Sequence, residues 1–148
     1  MKKFELTSET KAFFGKTLYR IRALISFGDV SAGDLGGFVE KEENLDQFGN
    51  AWVYGNARVS GNARVSGNAC VDKIGAIFWV GAVGSRNDTT TFFKCKDGKV
   101  RVTCGCFFGD LTEFAEKVNE THGDNEHGKV YMLAIEMAKA RISLEGER

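Results

Sequence analysis

The sequence predicts a mainly β protein with some α: a short β-solenoid, an N-terminal β cap and a C-terminal ββαα subdomain. Three observations predict it. Residues 49–72 read GNAWVY, GNARVS, GNARVS and GNACVD, four consecutive units built to one pattern. So strict a six-residue period marks stacked coils, each unit one short strand plus a corner. An Asp97-Gly98 pair between β-rich runs marks a hairpin. Downstream, Asp110 with Glu113 three residues on is a capping box that opens a helix. The implied division is residues 1–38 for the cap, 39–83 for the solenoid with a lid strand, and 84–148 for the hairpin and two helices.

The cap comes first in the chain. Residues 1–6 and 17–24 are strand-like, with a polar stretch through Ser8 and Gly15 between them and turns at Phe27-Gly28-Asp29 and Ala32-Gly33-Asp34. An open solenoid end leaves backbone groups unpaired and invites edge-to-edge aggregation, so a cap is physically required.

Each six-residue unit has a physical grammar. Val53, Val59, Val65 and Val71, with Ala51, Ala57, Ala63 and Ala69 two residues earlier, share one strand face and point inward. A Gly-Asn pair falls at every corner, where positive φ or a tight turn is needed. Trp52, Arg58, Arg64 and Cys70 occupy the outward position. This pattern resembles the hexapeptide-repeat proteins, with a fainter extension back through residues 37–48. The resemblance implies a left-handed triangular β-helix with three hexads per coil, often trimeric. Residues eighteen apart then stack on one wall, Trp52 above Cys70 and Tyr54 above Asp72. Trp52 and Tyr54 read as an exposed aromatic pair, a subunit contact or packing under the tail. The expected partner is a second copy of the chain, with a trimer favoured.

After residue 73 the repeat stops. Residues 74–83 are apolar and Gly-rich, a buried strand or a lid on the last coil, and Ser85-Arg86-Asn87-Asp88 is a turn. Residues 89–96 and 99–107 form the hairpin. The first helix runs to about Thr121 with Leu111, Phe114, Ala115 and Val118 on one face. Gly123 breaks it. The second spans about 125–142 with Tyr131, Ala134, Ile135, Ala138 and Ile142 as its apolar stripe.

Composition excludes some functions. The 148 residues carry 20 Lys+Arg and 20 Asp+Glu, so no net field draws DNA or an anionic membrane. Twelve Phe and 43% hydrophobic residues suffice for a core. No apolar run is long enough to span a bilayer and the start lacks a signal-peptide core, so the expected location is the cytoplasm. Of the four cysteines, Cys104 and Cys106 alternate with Val100 and Val102 along one strand face, and with Cys95 they read as core thiols rather than a metal site.

Candidate binding residues cluster in the tail. Arg86, Asn87, Thr89, Thr90 and Thr91, followed by Lys94, concentrate guanidinium, amide, hydroxyl and ammonium donors, the groups that hold phosphate or carboxylate oxygens. His122 lies near a helix end and joins the set. The same residues also serve as ordinary turn and strand formers. No catalytic residue, cofactor or metal ligand is assigned.

The stretches 84–92, 104–107 and 120–125 resemble the tail of small bacteriophage-encoded proteins that place GNA-x-V repeats before it. That resemblance implies a phage product and, as such products often do, action against host defence. Three functions follow. One is a non-enzymatic binding protein that oligomerises through the solenoid and takes an anionic ligand, such as a nucleotide second messenger, or a host defence protein. The others are a hexapeptide-repeat acyltransferase and a structural or virion module.

Overall fold

The computed structural model describes residues 2–84 and 87–146, and it divides the chain into two compact units, residues 1–74 and 75–148. The protein is mainly β with two helices.

The first unit opens with a long hairpin, β1 (Phe4–Phe13) against β2 (Lys16–Ala23). Its two turn residues, Phe14 and Gly15, both have positive φ (48° and 79°), the handedness that matches strand twist in a two-residue turn. The polar stretch expected between two strands is itself strand as far as Phe13, with Gly15 in the turn. Pairing of Thr10 to Phe13 with Tyr19 to Lys16 supplies the backbone bonds, and one register break between Leu6 and Thr10 absorbs the irregular pattern.

β3 (Leu35–Val39) joins β2 antiparallel on one edge and β5 (Arg58–Val59) parallel on the other. Between them, β4 (Trp52–Val53) pairs in parallel with β6 (Cys70–Val71), and Leu45 forms a parallel bridge with Val65. In each of these three contacts the partner lies eighteen or twenty residues further along the chain. Backbone bonds belong to the same pairings: Trp52 N donates to Ala69 O (3.1 Å), Tyr54 N to Val71 O (2.8 Å) and Asp46 N to Val65 O (2.9 Å). The four inward Ala and four inward Val are all buried. The corner glycines Gly49, Gly55, Gly61 and Gly67 all have φ between 58° and 77°, which a side chain would oppose.

Polar side chains satisfy the corners from inside. Buried Asn44 donates through Nδ2 to Gly61 O (3.1 Å) and Ala63 O (2.9 Å), while its Oδ1 accepts from the amides of Glu40 (3.1 Å) and Lys41 (2.9 Å). Lys3, 1% exposed, donates to Ala51 O (2.8 Å) and lies over the Phe27 ring. Arg20 donates to Gly36 O (2.6 Å). Buried carbonyls need such partners, since each left bare costs about 1–3 kcal/mol.

The second unit is an antiparallel sheet in chain order, β7 (Ile77–Val83), β8 (Asp88–Lys94), β9 (Val100–Cys104) and β10 (Phe107–Asp110). The stretch expected as a lid on the coils is β7, which pairs with β8 and belongs to this unit. The strand expected over 99–107 is broken at Gly105 (φ 59°), where the chain turns back as β10. Cys106 sits in that turn and is exposed, so it is not a core thiol, whereas Cys95 is buried.

α1 (Leu111–His122) starts at the expected capping box: Asp110 accepts from Glu113 N (2.8 Å) and Glu113 accepts from Asp110 N (2.9 Å). α2 (Glu126–Gly146) follows Gly123 and an Asn125 side chain that accepts from Gly128 N (3.0 Å). Phe114 and Val118 of α1 and Tyr131, Ala134, Ile135, Ala138 and Ile142 of α2 pack on Val83, Phe92 and Val102 of the sheet. Among the described residues, no helix is long and apolar enough to cross a membrane.

Candidate functional site

The polar residues of the second unit meet around one side chain, Tyr131. Period two along β8 puts Asp88, Thr90 and Phe92 on the face that carries the helices. Antiparallel register sets Thr90 opposite Cys104 of β9. The Thr90 hydroxyl donates to the Cys104 thiol at 3.2 Å, and that sulfur lies 3.8 Å from the Tyr131 hydroxyl.

Tyr131 reaches this point because of two features. On α2 it belongs to the buried stripe, its ring edge-on to Phe114 with centroids 5.6 Å apart. At its tip it needs room from Gly84, the residue that follows β7. A Cβ there would fall 1.9 Å from the Tyr131 oxygen, and Gly84 has φ 78°. Only glycine meets both conditions. Gly84 O in turn accepts from Asn87 N (3.2 Å), closing the turn into β8.

On its other side the Tyr131 ring stacks on His122, the last residue of α1, with centroids 5.7 Å apart and planes at 24°. The His127 ring lies 5.4 Å beyond. Burial pushes the Tyr131 phenol up to about 12, helped by the Cys104 thiol and the Asp88 carboxylate. The phenol therefore stays protonated at neutral pH and serves as a hydrogen-bond donor. With two imidazoles, a thiol and Asp88 near it, the cluster can bind a polar group or pass a proton. Among the described residues, no three His, Cys, Asp or Glu side chains are grouped to hold a metal ion.

Several expected site residues land here and several do not. His122 and Thr90 both adjoin Tyr131 through the contacts above, and Asn87 sits in the adjoining turn, exposed at φ 53°. Thr90 and Thr91 are buried, so their hydroxyls are not part of an open donor surface, and that of Thr90 is engaged by Cys104. Thr89 and Lys94 are half-buried, Lys94 at the far end of β8 opposite Val100. Arg86 lies outside the described residues. Sequence reasoning missed Tyr131 and Cys104 because both fit an apolar stripe. The available signal was a glycine where β7 ends, facing no residue that sequence alone could name.

Trp52 corrects an expectation in the first unit. It is 1% exposed, edge-on to Phe27 (5.3 Å) and Phe4 (6.4 Å), so it offers no surface to another subunit. The β1 and Phe27 segments cover it, which the six-residue pattern alone does not reveal. Tyr54 is half-buried, and burial followed by Cys70 and Asp72 raises its phenol pKa.

No known family model matches the chain. Over 62 residues it is 37% identical to a protein of Escherichia coli (strain K12) described as the uncharacterized acetyltransferase YdcK. The match covers 36% of this chain and 19% of that protein, so the chain spans about a fifth of its relative's length.

Proposed function

We propose that this protein is a non-enzymatic binding protein of phage origin that acts in the host cytoplasm against bacterial defence. In this reading the parallel contacts of the first unit wind as a short left-handed β-helix of the hexapeptide-repeat kind. The second unit takes an anionic ligand, a nucleotide second messenger being the favoured class, at the edge formed by Asn87, Tyr131 and His122. The observation that supports the ligand site is that His122 stacks on the Tyr131 ring while Gly84 lies against the Tyr131 hydroxyl. A phenol and an imidazole are groups of the kind that hold phosphate oxygens. Arg86, adjoining in sequence, adds a guanidinium of the right chemistry.

A thermal-shift screen with cyclic and linear nucleotides tests this. Ligand at a hundredfold excess over its dissociation constant stabilises the folded form by about 2.7 kcal/mol, a shift of several degrees. Arg86→Ala and His122→Ala should each remove the shift while leaving the unliganded melting temperature within about 2 °C. A panel without any response sinks the nucleotide, and a retained response in both variants sinks the site.

A second reading is favoured by one observation, the partial identity to a protein described as an acetyltransferase. Residues 49–72 contain no His to serve as a base, and the two imidazoles of the chain lie in the second unit. Stabilisation by coenzyme A or acetyl-coenzyme A, with no response to nucleotides, would favour the acyltransferase.

A further inference from the structure

Two of the cysteines flank a single glycine beside the Tyr131 cluster. Gly105 and Cys106 are the two loop residues between Cys104 and Phe107, which pair as the end of β9 and the start of β10. Successive Cα atoms are about 3.8 Å apart, so a roughly right-angled fold brings residues two apart to about 5.4 Å. A disulfide spans about 4.4–6.8 Å between Cα atoms, and a turn of this kind therefore admits one.

The two thiols differ in what they touch. Cys106 is exposed and open to a reagent in solution, whereas Cys104 is half-buried. The Cys104 sulfur accepts from the Thr90 hydroxyl at 3.2 Å and lies 3.8 Å from the Tyr131 hydroxyl. Thr90 is 0% exposed, so its hydroxyl depends on partners inside the protein. One thiol thus meets solvent, and its neighbour holds the polar contacts at the tip of Tyr131.

We propose that Cys104 and Cys106 are a reversible dithiol-disulfide pair through which a small disulfide, of the oxidised glutathione class, acts on the contacts of Tyr131. The Cys106 sulfur attacks one sulfur of that reagent, forming a mixed disulfide and releasing a first thiol. The Cys104 sulfur then attacks the Cys106 sulfur, closing the internal disulfide and releasing a second thiol. The S–S bond of the reagent is replaced by that of the protein, and both cysteine protons end on the released thiols. Closure turns the Cys104 side chain toward the exposed Cys106 and draws its sulfur off Thr90 and Tyr131. So small a ring is strained, and excess thiol opens it again. The pair acts on the same cluster as the ligand reading but requires no ligand, so the two stand or fall separately.

The full chain, treated with oxidised glutathione, then denatured, alkylated and cut with trypsin, tests this by mass. Residues 102–117 form one fragment that holds both cysteines and neither Cys70 nor Cys95. In the wild type that fragment should lose two hydrogens and take up no alkylating reagent, and dithiothreitol should reverse both. Oxidation should also lower the melting temperature by several degrees, because the buried Thr90 hydroxyl loses its acceptor. Cys106→Ser should show neither change. Thr90→Val, with no hydroxyl to leave unpaired, should form the disulfide with less than half the fall in melting temperature.

A fragment that keeps both thiols, or carries only a glutathione adduct on Cys106, overturns the internal disulfide. Cross-linking of two chains through Cys106 in its place does the same. If the bond forms and Thr90→Val falls as far as the wild type, the link to the Tyr131 contacts is overturned.

Discussion

Asn44 makes four hydrogen bonds with one amide, two donated to the carbonyls of Gly61 and Ala63 and two accepted from the amides of Glu40 and Lys41. Asn44→Ala should lower stability by about 3 kcal/mol in urea unfolding, because several buried backbone groups lose partners together. Asn44→Asp should do no better, as a carboxylate cannot donate to Gly61 and Ala63. Lys3 predicts a pH effect. Burial holds its ammonium down to about 8, with Asp46 pulling the other way. The unfolded chain keeps that proton to about pH 10.4. Between about pH 8 and 10.4 the unfolded state binds more protons, so stability should rise with pH across that window. Lys3→Met should abolish the rise. Tyr131 has the opposite sign. Its contribution is intact below about pH 10 and is lost as pH climbs through about 12, and Tyr131→Phe should remove that loss.

At the scale of elements, each short strand of the first unit is only two residues long and depends on its parallel neighbour and on inward packing. Trp52→Ala should therefore cost about 3–5 kcal/mol, measured by chemical denaturation, since it empties the space between Phe4 and Phe27. The two-residue strands were legible in the sequence because Val and Ala recur at fixed spacing, a pattern set by the backbone's own period. β10 was not. Phe107 read as the end of the preceding strand, and only its pairing with Cys104 turns the chain back. β1 was half legible for the same reason. Its outer half lacks alternation and is held by the backbone of β2.

At the scale of the whole molecule, 20 positive and 20 negative side chains leave no net charge near pH 7, and the isoelectric point is about 6.7. Self-repulsion is weakest there. Light scattering at low salt should show the largest association near that pH and less at pH 8.5.

Part of the candidate site was legible from side-chain chemistry alone: His122 and the turn at Asn87 came from residue type. Tyr131 and Cys104 looked like core, because burial and polarity together depend on what faces them.

The sequence by itself determined the repeating strands, their glycine corners, the Asp97-Gly98 hairpin and the start of α1. Each of these rests on contacts within a few residues, where φ preference and capping act directly. Only the tertiary structure decided that Trp52 is covered, that β7 leaves the repeats for the second sheet, and that Thr90, Cys104, Tyr131 and His122 meet. Those outcomes depend on which distant strand or helix comes alongside, and a local pattern constrains the faces of an element but not its neighbour.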